Sequence, residues 1–184
     1  MNVDRPELIE LKSMIITKRL FLRRVCAADW KAFQTIWTEV AKTQYAQYDK
    51  PKDTADQAVE QRVKQWASFA DSTEHMFFSV CLDQTVIGFV ALHKRENGFE
   101  MGYCFHPDYH GKGYAKESIS GLLNALKAQG LSRITAGTAL KNLPSVNLLL
   151  SLGFQQVDTE RVSFYQDMQG KNIFFDGGIF ELLL

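Results

Sequence analysis

Charge of one sign is what this sequence most plainly lacks: 21 Lys and Arg stand against 21 Asp and Glu, for a formal net charge of +0. A chain without excess charge has no general attraction for nucleic acid or an anionic membrane, so neither partner is expected. Long apolar runs are missing too. No stretch approaches the roughly 20 apolar residues of a membrane-spanning helix. The opening residues Asp4, Arg5, Glu7, Glu10 and Lys12 are charged, and no apolar leader core is expected there. Cysteine is scarce and odd in number. Cys26, Cys81 and Cys104 are scattered, with no C-x-x-C pair and no His/Cys cluster. That argues against a disulfide scaffold and offers no metal-ligand spacing, so a reduced, cytoplasmic protein without a metal is expected. No repeat, low-complexity tract or linker divides residues 1–184, which are read as one domain. At 46% hydrophobic, the chain can bury a substantial core.

What the sequence does have is one dense stretch, Gly102-Tyr103-Cys104-Phe105-His106-Pro107-Asp108-Tyr109-His110-Gly111-Lys112-Gly113-Tyr114-Ala115-Lys116-Glu117. An aromatic-rich strand runs into a Gly-Lys-Gly turn, from which a helix opens. Such a turn leaves backbone N–H groups unpaired where the helix dipole favours negative charge. A phosphate or pyrophosphate is the ligand that fits. A Walker-type loop requires Lys and Ser/Thr directly after its second glycine, where Tyr114 follows Gly113 instead. A dinucleotide fingerprint requires a third glycine where Lys116 stands, and no acidic ribose ligand follows. An ordinary Gly-rich turn is the plain alternative.

Periodicity supplies the rest of the framework. Met14 to Val25 reads as a first strand. Trp30, Phe33, Ile36, Trp37 and Val40 recur at helical spacing. Thr43 to Asp53 is a polar loop, and Thr54-Ala55-Asp56-Gln57 fits a capping box that opens a second helix. Strands follow at Met76–Leu82 and Val86–Lys94 around a turn at Asp83-Gln84. Asn97-Gly98 then marks a hairpin into Phe99–Phe105. A helix from Gly113 to about Gln129 ends at Gly130. Arg133–Thr138 is a strand, Pro144 to Gly153 a short helix, and strands around Phe154–Gln166 and Ile173–Leu182 close the chain. The order β, α, α, β, β, β, α, β, α, β, β predicts an α/β fold, a mixed sheet with helices on both faces. The three tryptophans are expected in the core.

The turn His110-Gly111-Lys112-Gly113-Tyr114-Ala115 is similar to the pyrophosphate loop Q/R-x-x-G-x-G/A of the GNAT N-acetyltransferases, with His110 in the Gln/Arg position. Thr17-Lys18-Arg19-Leu20-Phe21-Leu22-Arg23 resembles the T-x-R-L-x-L-R opening of that family's RimJ/RimL-like branch. Asn142-Leu143-Pro144-Ser145 followed by Leu152-Gly153-Phe154 resembles its N-x-x-S…L-G-F segment. The three matches, in order, span nearly the whole chain. The resemblance implies a GNAT-like acyl-CoA N-acyltransferase fold and acetyl-CoA as co-substrate. It implies direct transfer of acetyl to a primary amine, on a peptide, protein N-terminus or small molecule, by a monomer or homodimer. The alternative is a non-catalytic acyl-CoA-binding module of the same fold, since Leu149 stands where many relatives carry a catalytic tyrosine.

Amine acetylation makes three demands: the ammonium must lose a proton, the thioester oxygen must be stabilised, and the departing thiolate benefits from a proton. Glu100, the only charged residue of Phe99–Phe105, is the candidate base; a surface ion pair is its alternative role. The backbone of Tyr103, Cys104 and Phe105 corresponds to the family's pantetheine-binding strand. His110, Gly111, Lys112, Gly113, Tyr114, Ala115 and Lys116 are the expected pyrophosphate contacts. Ser145 is the candidate acid and Asn142 its orienter or a pantetheine contact, although both residue types also cap helices. Cys104 invites a covalent reading but lacks an activating neighbour, because Pro107 should end the strand before His106 can join it. Tyr45, Tyr48, Asp49 and Asp53 are candidates for the acceptor rim.

Overall fold

The computed structural model describes Leu11 and residues 14–184; the charged opening segment lies outside the described residues. Strand β1 (Ile15–Ile16) turns at once into β2 (Leu20–Arg24), and the two pair antiparallel, Ile15 opposite Leu22. The single strand expected over Met14–Val25 is therefore a tight hairpin. The Thr17 hydroxyl and N–H both donate to the Leu20 carbonyl, a side-chain turn bond that apolar periodicity does not register.

Helices α1 (Trp30–Val40) and α2 (Asp56–Ser68) follow. The capping box expected from Thr54 does not form. Ala55 is the N-cap of α2, and the Asp53 carboxylate accepts the Ala55 N–H instead. Next come β3 (His75–Leu82), β4 (Thr85–Arg95) and β5 (Gly98–Phe105) as a meander. Arg95 pairs with Gly98, so Glu96 and Asn97 form the hairpin turn and Gly98 already belongs to the strand, one residue earlier than the Asn-Gly signal suggests. Helix α3 (Tyr114–Ala128), β6 (Arg133–Ala139), α4 (Leu143–Ser151), β7 (Gln155–Gln166) and β8 (Asn172–Leu183) complete the order. Gly130 and Gly153 end α3 and α4, where Leu131 N–H reaches Leu126 and Phe154 N–H reaches Leu149.

The strands make one mixed sheet, β1-β2-β3-β4-β5-β6-β8-β7. One face carries Leu22, Phe78, Val90, Leu92 and Met101 against Ile119, Leu122 and Leu126 of α3 and Leu149 of α4. The other carries Phe77, Phe89 and Ala91 against Phe33 and Trp37 of α1 and Val59 and Val63 of α2. Trp37 is buried in the core as expected, while Trp66, stacked on Phe77 at 4.7 Å between centroids, and Trp30, beneath Lys31, are half-buried against it. Burial of this kind stabilises by roughly 25 cal/mol per Å² of apolar surface. Ile87 is the extra residue of a bulge: Val80 pairs with Gly88 and Cys81 with Val86. The bulge places Ile87 on the α3 side together with Val90 and Leu92.

The pairing between β5 and β6 positions the site. Among the described residues these are the only adjacent strands that run parallel, and their register holds only at Phe99–Ile134, Glu100–Thr135 and Met101–Ala136. Beyond Met101 and Ala136 the strands part. Gly102–Phe105 keep their bonds to β4 and Gly137–Ala139 theirs to β8, so the cleft opens between two secured strand ends.

Candidate active site

The cleft leads directly into the Gly-Lys-Gly turn. Gly113 is the N-cap of α3 at φ +80°, a left-handed conformation that side chains adopt at a cost. The N–H groups of Gly111 through Lys116 have no hydrogen-bond partner among the described residues, and the first helical bond runs from Glu117 N–H to Gly113. This nest of donors at the head of a long helix suits an anion. His110 is not a backbone placeholder: its Nε2 lies 2.9 Å from the Phe105 carbonyl and ties the loop to the end of β5.

The amino-terminal motif proves to be part of the same loop. Glu117 accepts from the Thr17 hydroxyl, the Arg19 N–H and Arg19 Nε, each at 2.7 Å. Arg19 also donates to the Lys112 carbonyl at 3.1 Å and stacks over Tyr114. Burial pushes the Glu117 carboxyl up, but the Thr17 and Arg19 bonds outweigh it and hold the group below its ordinary value. The second arginine of that motif, Arg23, serves the core. It forks onto buried Asp29, which also accepts from Ser79 and from Cys26 N–H.

On the α4 side, the Tyr103 hydroxyl lies 2.7 Å from the Ser145 hydroxyl. Tyr103 alternates with Met101 and Phe105 toward the α3–α4 face, so its polar tip enters the gap between β5 and α4. Burial raises its pKa to about 12, partly offset by Ser145. Leu149 is fully buried, packed in the core. The hydroxyl absent from that helix position is thus supplied near the helix by the strand. Asn142 is the N-cap of α4, its Oδ1 accepting from Ser145 N–H at 3.4 Å. Sequence reasoning assigned only the backbone of Tyr103. An inward-facing tyrosine that needs a partner was a readable signal; the partner's identity was not.

On the opposite face of β5 stand Glu100, Gly102 and Cys104. Glu100 is bonded to Arg95 at 2.6 and 2.8 Å and is about half exposed, so it does not stand alone among apolar residues. It sits where β5 and β6 still pair, just before the cleft opens. Cys104 lies inside the opened segment, its thiol pushed up to about 12 by burial, with Lys52 opposing. The β5 strand ends at Phe105, as Pro107 requires, and His106 instead caps the turn Pro107–Tyr109. Lys52 and Asp49 both act electrostatically on Cys104, so the end of the Thr43–Asp53 loop lies near the opened segment of β5. That loop is not wholly irregular: Ala46–Tyr48 form a 3-10 turn, held to β7 by the Tyr165 hydroxyl on the Ala46 carbonyl. Among the described residues, no group of three or more His, Cys, Asp or Glu could hold a metal ion.

A mixed sheet parted between two parallel strands, with a loop of free N–H groups at the end of the first, is an acyltransferase architecture. Residues 19–155 match the profile of the acetyltransferase (GNAT) domain, and the chain belongs to that family. Two curated relatives from Bacillus subtilis (strain 168), the uncharacterized N-acetyltransferases YoaA and YnaD, are 29% and 26% identical, over 82% and 77% of this chain and 88% and 82% of theirs. The fold is also that of RimL, a ribosomal L7/L12 alpha-N-protein acetyltransferase (TM-score 0.80, 14% identity, 94% of each chain). It is shared as well by the microcin C7 self-immunity acetyltransferase MccE, solved in complex with acetyl-CoA and AMP (TM-score 0.78, 12% identity, 96% of this chain and 99% of that one). The RimJ/RimL-like character read from the motifs agrees with the fold of the first. No described helix is long and apolar enough to cross a membrane.

Proposed function

We propose that the protein transfers the acetyl group of acetyl-CoA directly to a primary amine. The observation that carries this reading is the continuity of three features: the free N–H groups of Gly111–Lys116, the cleft beyond Met101 and Ala136, and the Tyr103–Ser145 pair at its α4 wall. Bound acetyl-CoA supplies the thioester carbon that the amine attacks. The loop residues from His110 to Lys116 hold the pyrophosphate. Freed N–H groups among Tyr103, Cys104 and Phe105 hold the pantetheine arm and the carbonyl oxygen as it gains negative charge. Asn142 fixes the start of α4 and so the position of Ser145.

Glu100 accepts the amine proton through water at its exposed half, with the Arg95 pair opening or shifting to allow it. As the carbon–nitrogen bond forms and the carbon–sulfur bond breaks, Ser145 gives its proton to the leaving sulfur. Tyr103 restores that proton, and solvent restores Tyr103. Release of CoA thiol from acetyl-CoA in the presence of amines, with mass spectrometry of the product, tests the reading. Acetyl-CoA binding without turnover of any amine would favour the non-catalytic acyl-CoA-binding module instead, for which Leu149 is the supporting observation.

A further inference from the structure

One concavity beside the cleft carries a chemistry that acetyl transfer itself does not require. It has a volume of about 670 Å³, within the range of small-molecule sites, and lies between the Thr43–Asp53 loop and the β7–β8 hairpin. Its position is fixed by β6: Leu140, the residue after that strand, donates its N–H to the Asp176 carbonyl at 2.9 Å. Because β6 is the strand that leaves β5, this concavity adjoins the open end of the cleft.

Two cations and one carboxylate line it: Lys141, Arg161 and Asp176. Four other arginines already face a carboxylate, Arg19 with Glu117, Arg23 with Asp29, Arg95 with Glu100 and Arg133 with Glu181. Arg161 does not. It is directly opposite Asp176 in the strand register, yet its guanidinium stacks over Phe174 at 4.6 Å and forms no ion pair with that neighbour. The side chains of Lys141 and Asp176 likewise have no hydrogen bond or ion pair among the described residues. Aromatic groups complete the wall, with Tyr48 set edge-on to Phe175 at 5.4 Å. Unpaired charges of both signs around one apolar-sided space suit a ligand that carries both signs itself.

Resting on the acetyltransferase reading, we propose that the acceptor is a small amine that also bears an anion, a carboxylate or a phosphate. Arg161 and Lys141 hold the anion, and Asp176 receives the incoming ammonium beside the cleft. A bidentate guanidinium contact would give the acceptor a fixed orientation as well as affinity.

The test compares amines that differ only in the anion. CoA release is followed with L-phenylalanine, L-phenylalaninamide and 2-phenylethylamine, and with O-phosphoethanolamine against ethanolamine. The anion-bearing member of each pair should show kcat/KM higher by about tenfold or more. The first set and the second distinguish a carboxylate from a phosphate. Arg161→Gln and Lys141→Gln should raise KM for the anionic amines and leave KM for the neutral amines and for acetyl-CoA unchanged. Equal turnover of charged and capped amines, or variants that treat them alike, would overturn the proposal. If no amine is turned over, acetyl transfer fails as a reading, and calorimetry of L-phenylalanine and O-phosphoethanolamine on the CoA-bound protein decides the pocket alone. Binding that is lost in Arg161→Gln supports the pocket; absence of binding overturns it.

Discussion

The Tyr103 and Ser145 hydroxyls, one on β5 and the other on α4, stand 2.7 Å apart across the wall of the cleft. A strand tyrosine therefore positions the helix serine. We predict that Ser145→Ala lowers kcat on the order of 10²-fold, the lower end for loss of an acid–base group. Tyr103→Phe should lower it less. The double variant should be no worse than Ser145→Ala, because the two groups act as one unit. Since the Tyr103 hydroxyl titrates only near pH 12, its contribution should stay flat through neutral pH. Losses that multiply in the double variant would mean that the hydroxyls act separately.

Glu117 binds the Thr17 and Arg19 side chains and the Arg19 N–H, so the loop around Gly113 is braced from 98 residues away. Gly113→Val forces a branched side chain into φ +80°, a strain of roughly 1–3 kcal/mol, and crowds the phosphate approach. Its acetyl-CoA Kd should rise tenfold or more. Arg19→Ala should raise Kd by a smaller factor, about threefold to tenfold, by freeing the Lys112 carbonyl and Glu117. Calorimetry on the folded variants measures both, and unchanged affinity in Gly113→Val would remove this loop from the binding site.

Glu100→Gln should slow turnover at neutral pH by on the order of 10²-fold. The deficit should shrink at high pH, where free amine is plentiful. Stability should fall by less than about 1 kcal/mol, because the Arg95 pair is solvent-exposed. A pH–rate profile indistinguishable from wild type would pass the role to Asp176 or to water.

Burial keeps the Cys104 thiol protonated at neutral pH, so it is no nucleophile there. Cys104→Ala should remain active, and initial-velocity lines should intersect. Mass spectrometry that finds an acetyl group on Cys104, discharged by added amine, would replace the direct route with a two-step one.

Buried Asp29 makes the fold sensitive to acid. Burial raises its carboxyl, but bonds from Arg23, Ser79 and Cys26 outweigh burial and hold it below the ordinary 3.8. A depressed carboxyl adds stability that is fully present above its unfolded pKa and is lost as pH falls through the folded value. Denaturant titration should show Asp29→Asn destabilised by about 3 kcal/mol near neutrality, the low end for a broken buried pair because Arg23 is partly exposed. The gap to wild type should close in strong acid, and a constant gap across pH would contradict this assignment.

The strand, loop and helix around Gly113 were legible because alternation, glycine and helical spacing act within a few residues of one another. The same locality explains the misses. Thr17-Lys18-Arg19 contains no glycine or proline, so the hairpin it forms was hidden inside a run that alternates like a strand. At the start of α2 the Ala55 N–H goes to Asp53 and the Thr54 capping box does not form, a contest between neighbours with similar chemistry. The partners of Tyr103, Arg19 and Glu100 depend on which elements the sheet brings together. Arg95 lies only five residues before Glu100, yet they meet because the hairpin turns at Glu96 and Asn97. Lys141, Arg161 and Asp176 carry no local pattern at all and converge only through the pairing of β6, β7 and β8.

The most direct test of acetyl transfer is the product formed when the protein is incubated with acetyl-CoA and L-phenylalanine or O-phosphoethanolamine. The account predicts one CoA thiol released for each N-acetylated amine, with neither product accumulating when Gly113→Val replaces the wild type. Acetyl-CoA that binds tightly at the Gly113 loop, yet is never consumed with any amine offered, would contradict it.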